Sequence, residues 1–147
     1  MSTKDRVWIG YAAWGCFAAA LLHIAAIIAG PDWFDFLGAP PSYGESLRQG
    51  NWQHPVFTTL GIVLILLIWA AYAFAALGRF TWLPLKKFVL AAVAAIFILR
   101  GALGIPIVIW VMTQTALSVF NVFHLGASVF VLTLGYGFWR AFRVLQK

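Results

Sequence analysis

Only four carboxylates occur in 147 residues, and none of them falls inside an apolar run. Charged residues make up 10% of the chain, against about 25% in an ordinary soluble domain. So little polar sequence leaves no room for a soluble catalytic domain. Cysteine is nearly absent too. Cys16 stands alone, which excludes an internal disulfide and any CxxC metal or redox motif. In an apolar helix it is expected to be a small core residue. No basic run exceeds two residues, so the net charge of +6 does not point to nucleic acid. Basic residues beside membrane ends explain it, since they set orientation. No HxxxH or HxxE pair places two metal ligands on one helix, and Ser42, Ser46 and Ser128 lack a nucleophile motif.

Apolar sequence is what the chain has in abundance: 63% hydrophobic residues and a mean hydropathy of +0.92. It comes as four runs, residues 7–30, 54–78, 88–113 and 121–143. At 1.5 Å per residue, about 20 residues cross a hydrocarbon core of about 30 Å. The first run is longer than the ~7–15-residue core of a signal peptide. Pro31 after Ala29-Gly30 suits a helix end rather than a cleavage site, so a retained helix is expected. Pro55 suits the first turn of the second helix. The expected fold is all-α: one domain over 1–147, an integral membrane antiparallel four-helix bundle with short connections at 79–87 and 114–120.

Residues 31–53 are the one long connection, and they hold three of the four acidic residues. PDWFDFLG predicts a short turn or helix ended by Gly38, with Trp33, Phe34 and Phe36 at the membrane interface. Ser42 and Glu45 have capping-box spacing, which predicts a helix from about Tyr43 to Gln49 that stops at Gly50. Orientation follows from charge. Lys4, Arg6, Arg79, Lys86, Lys87, Arg140, Arg143 and Lys147 fall on one side and only Arg48 on the other. The positive-inside rule then puts both termini in the cytoplasm and the long loop outside. Trp8, Trp82 and Trp139 would flank the inner interface, and Trp33, Trp52 and Trp110 the outer.

The polar residues within the runs are the candidates for function. Asn51, His54, Thr58 and Gly61 share one helical face by spacing, as do Asn121, His124 and Ser128. His23 lies seven residues from the outer end of its run, roughly 10 Å deep. In lipid a polar face is expected to turn to the protein interior or a water-filled cavity. All three histidines fall in the outer half, which predicts an outward-facing polar pocket over a dry cytoplasmic half. Arg100, in the middle of the third run, would form its floor. Gly101, Gly104 and Pro106 beside it predict a kink or local unwinding, because Pro106 leaves the Ala102 carbonyl without a helical donor. Two readings of Arg100 stand side by side. Freed carbonyls and the loop carboxylates Asp32, Asp35 and Glu45 would satisfy it as a structural lock; alternatively it would hold a lipid phosphate, a carboxylate or another small anion.

Three histidines would suit a zinc or copper centre, each helix giving one ligand. A b-type haem on His23 and His124 and a proton-handling histidine beside Glu45 or Asp35 are further options. For each histidine alone, a hydrogen-bonded residue at a helix end is the commoner role. Gly10, Ala13 and Phe17, Gly61 with Ala70 and Ala71, and Gly135 with Gly137 are small-residue sets for close helix contacts, inside the chain or across a homodimer.

The stretch GPDWFDFLGA, followed by a polar loop, a second helix, a basic turn and LRGALGIP, resembles a group of small uncharacterised four-helix inner-membrane proteins of bacteria, over about residues 20–106. The resemblance implies a bacterial inner-membrane location and carries no catalytic residues or cofactor. The expected function is ligand binding in the outward pocket or service as an accessory subunit of a membrane complex. The alternative is a small membrane enzyme or redox protein using the histidines with metal, haem or quinone. The orientation is checked directly. In a Cys16→Ala background, Ser42→Cys should react with a membrane-impermeant maleimide in intact cells, and Thr81→Cys only after permeabilisation. The reverse pattern would refute the charge-based topology.

Overall fold

Each long apolar run forms a single helix. The computed structural model describes residues 1–115 and 118–146; Lys147 and the middle of the 114–120 connection lie outside the described residues. Six helices follow in order: α1 (Thr3–Ala29), α2 (Pro31–Phe36), α3 (Pro41–Arg48), α4 (Gln53–Ala76), α5 (Lys86–Gln114) and α6 (Val119–Val144). Four of them, α1, α4, α5 and α6, are long and apolar enough to cross a membrane. The chain is a multi-pass membrane protein, and its apolar helices meet lipid. In hydrocarbon the backbone must satisfy its own polar groups, which is why these runs have no alternative to helix.

The contacts divide the chain into two compact units: residues 1–15 with 69–147, and residues 16–68. In the first, α6 runs antiparallel to both α1 and α5. Glycine makes both contacts close. A Cβ at Gly135 would lie 2.8 Å from the Ile98 backbone nitrogen, and one at Gly101 2.8 Å from the Leu132 Cα. A Cβ at Gly104 would meet the Ser128 Oγ at 2.6 Å. Two residues beyond Gly135, Gly137 turns to α1, where a Cβ would meet the Trp8 carbonyl oxygen at 2.6 Å. Between apolar helices in lipid there is no hydrophobic drive to associate, so such close backbone approach supplies the packing. Phe97, Leu134 and Phe138 are buried around these contacts, with Ile9, Ala12 and Ala13 from α1.

Polar bonds tie the chain ends. Ser2 Oγ donates to Asp5 Oδ2 (2.7 Å), and the Asp5 amide donates to Ser2 Oγ (3.1 Å), a cap at the start of α1. The other Asp5 oxygen accepts from Arg140 Nε (2.8 Å) and Nη2 on α6. This places an acid at one helix N-terminus and a base near another's C-terminus, the favourable sense for both dipoles. At the far end of α6, Ser118 Oγ accepts from the Asn121 amide (3.2 Å).

The second unit contains the rest of α1, the two short helices and the first part of α4. Both predicted glycine stops are present. Gly38 and Gly50 have φ of 79° and 82°, left-handed values that only glycine adopts readily. The bonds Ala39 N–H to Phe34 O (3.0 Å) and Asn51 N–H to Ser46 O (2.8 Å) close the two helix ends.

Several local expectations are corrected. Ser42 and Glu45 form no capping box: α3 starts at Pro41, one residue ahead of Ser42, with no side-chain cap, and Glu45 Oε1 accepts from Gln49 Nε2 instead (2.7 Å). Phe34 is buried rather than interfacial. Pro106 does not unwind α5, which is helical throughout 86–114; Gly101 and Gly104 make the groove for α6 rather than a weak point. Nothing lies within 4 Å of a Cβ at Gly10 or Gly61, so those two glycines pack against no helix among the described residues.

Gly135→Val should lower stability in detergent by about 1–3 kcal/mol, the usual cost of overpacking, because the new methyl groups meet the Ile98 backbone. Gly61→Val should leave it nearly unchanged. Thermal unfolding followed by circular dichroism would show the difference.

Candidate functional site

One side of α5 is core. Leu90, Val93, Ala94, Phe97 and Gly101 are buried, spaced by three and four residues. The adjoining flank, which carries Ile96, Arg100, Leu103, Ile107 and Trp110, is exposed among the described residues. Those positions alternate steps of four and three, the seam against which a second helix packs. Leu103 is 61% exposed and Trp110 65%, so the seam is open along its length. Arg100 sits within it, exposed. Among the described residues it has no hydrogen bond or ion pair. The expected bonds to freed α5 carbonyls are not found there; the Arg100 side chain is exposed instead.

The carboxylates proposed as counter-charges are engaged elsewhere. Arg48 Nη2 donates to Asp32 Oδ1 (2.8 Å) and to Asp35 Oδ2 (2.6 Å). The two carboxylates, Asp35 first, hold the Arg48 pKa above its ordinary value. Asp35 also lies directly over Gly44, where a Cβ would come within 2.9 Å of the carboxylate carbon. α2 and α3 are therefore clamped by one base, two acids and one glycine. Asp5 belongs to Ser2 and Arg140, and Glu45 to Gln49.

The histidines occupy three different settings. His23 is half-buried on α1, and its Nδ1 lies 2.8 Å from the Ala19 carbonyl oxygen one turn earlier. A carbonyl only accepts, so Nδ1 is the donor in this bond. His54 is exposed at the start of α4, its ring edge-on to Tyr43 at 5.3 Å. His124 on α6 has its ring tilted against Phe120 (4.2 Å) and edge-on to Phe123 (5.4 Å). Among the described residues no three His, Cys, Asp or Glu side chains are grouped to hold a metal ion.

The remaining candidates divide by burial. Asn121 is buried, its Nδ2 donating to Thr115 Oγ1 (3.2 Å). Ser128 is buried, its hydroxyl donating to the His124 carbonyl (2.9 Å) while its Oγ faces Gly104. Both are thus built into the α6 packing, and Arg100 lies one turn before Gly104, at the exposed edge of that contact. Thr58 is exposed, as are Asn51, His54 and Gly61. The buried hydroxyl is its neighbour Thr59, which donates to the Pro55 carbonyl (2.8 Å). Sequence reasoning missed Thr59, the Arg48 clamp and the Asp5–Arg140 pair. The last two had a signal: Arg48 is the only base in an acidic loop, and Asp5 the only acid at the basic end.

No protein-family model matches the chain, and neither a curated protein nor a solved structure does.

The clamp predicts a local effect. Arg48→Met should increase chymotryptic cleavage within residues 31–50 while the helical circular dichroism signal stays the same. Unchanged cleavage would show that the two short helices hold without it.

Proposed function

We propose that this protein is a non-catalytic subunit of a membrane complex and that the outer side of α5 is its docking surface. One observation carries this: Arg100, charged and exposed, in the middle of a helix that crosses the bilayer. A charge there costs about 2.5–3.5 kcal/mol on insertion scales, and the described residues offer nothing to offset it. Arg100 is ten residues from Trp110 and thirteen from Lys87, about 15 and 20 Å along the axis. Long basic side chains reach the headgroups from near helix ends, and Arg100 is near neither. That separates a protein partner from a lipid phosphate or a small anion drawn from the interface. The location that fits is a bacterial inner membrane, with both termini cytoplasmic.

A redox or metal role for the histidines has one observation behind it, the His23 Nδ1 bond to the Ala19 carbonyl, the kind of second contact that orients a ligating imidazole. A Soret band or stoichiometric metal in the purified protein would favour that role over docking.

Docking is tested by photo-crosslinking in intact membranes. A benzophenone side chain at Leu103 should give one discrete protein adduct, weakened by Arg100→Leu. The same group at Ile28, exposed on α1, serves as the control. Lipid adducts alone at Leu99, Leu103 and Ile107 would overturn docking.

A further inference from the structure

We infer that the partner helix carries an aspartate or glutamate at the depth of Arg100, and that it belongs to a different protein and not to a second copy of this chain. This rests on α5 being a docking surface. Three observations lead to it.

The first is chemical. A guanidinium has five donors and no acceptor, and at bilayer depth water does not compete for them. A planar carboxylate matches the fork with two parallel bonds and cancels the charge. A hydroxyl or amide partner would satisfy donors and leave the charge in place.

The second is geometric. Arg100 does not stand on an isolated bump. Ile96, Leu103, Ile107 and Trp110 continue its row above and below at helix-packing spacing. A partner helix lying along that row would bring one of its own side chains opposite Arg100 and cover the guanidinium with apolar neighbours. One polar position within an apolar seam also sets register, because any slip leaves both charges unpaired in lipid.

The third excludes the chain itself. Its acidic residues are Asp5, Asp32, Asp35 and Glu45. Asp5 is in the first turn of α1, and the other three belong to α2 and α3. No copy has a carboxylate in the interior of a long helix. Moreover, a second copy inserts in the same orientation, so its Arg100 would lie at the same depth. A two-fold pair of α5 helices would place guanidinium beside guanidinium, and like charges in low dielectric repel.

The test uses the purified chain in phosphatidylcholine nanodiscs and a synthetic Leu/Ala-rich transmembrane peptide with one central Glu, compared with peptides bearing central Gln or Leu. Association is read by energy transfer between labels. The Glu peptide should bind about three- to thirtyfold more tightly than the Leu peptide, the range of measured polar contacts between membrane helices. Arg100→Leu should abolish the difference, and Arg100→Glu should shift preference to a peptide with a central Lys. Equal binding of the Glu and Leu peptides overturns the inference, as does an Arg100→Leu chain that still prefers Glu. So would discrete cross-links at Leu103 between copies of this chain alone. If the Glu peptide binds no better while Leu103 still yields a discrete adduct to another protein in native membranes, α5 docks a partner whose contact is not a carboxylate. If both fail, the docking surface is wrong as well.

Discussion

The approach of the Gly135 backbone to Ile98 is the contact on which the α5–α6 pair depends. In water, two apolar helices are driven together by burial. In a bilayer that drive is absent, and they must find each other through close packing. Gly101, Gly104 and Gly135 remove the side chains that would hold the axes apart, and Leu132 and Ser128 occupy the space. Gly137, two residues on, does the same toward α1. One short segment of α6 thus packs against two neighbours.

With α5 held by that side, the flank that carries Arg100 is left exposed, and the Arg100 problem follows from this. Among the described residues, the ion pairs lie near a helix end or on a short helix. Asp5 meets Arg140 where α1 begins and α6 nears its end, and Arg48 meets Asp32 and Asp35 on α2 and α3. Water can solvate whatever the exposed Arg48 pairs do not, so those cost little and contribute little, whereas the Asp5 side chain is mostly covered and is held by Arg140 and Ser2. Arg100 has no such recourse. It is the charge for which the described residues offer no counterpart, and that is why the proposed function is built on it.

The four long helices were legible within four residues at their ends, because hydrocarbon accepts only a long apolar helix. The two glycine stops, Gly38 and Gly50, were equally legible, since few other residues take a positive φ. Faces were harder. Spacing grouped Asn51, His54, Thr58 and Gly61 correctly as one face and supplied no direction for it; the buried hydroxyl belongs to Thr59. The moment of an almost wholly apolar helix is small, so a shift of one residue, about 100° of rotation, leaves little trace in the pattern. Gly101 and Gly104 were legible as special and not as packing residues, because a glycine beside a proline weakens a helix and also opens it to a neighbour.

From the sequence alone came the membrane class, the long helices, the charged loop and the isolated guanidinium. Each is a property of a run or of a single residue, decided by transfer energies that do not depend on what lies next to it. The tertiary structure decided which way each side of a helix turns, that Asp32 and Asp35 go to Arg48, and that Arg100 faces outward. Those are pairwise matters. A carboxylate is a counter-charge only for the base it can reach, and reach is set by packing between segments far apart in the chain.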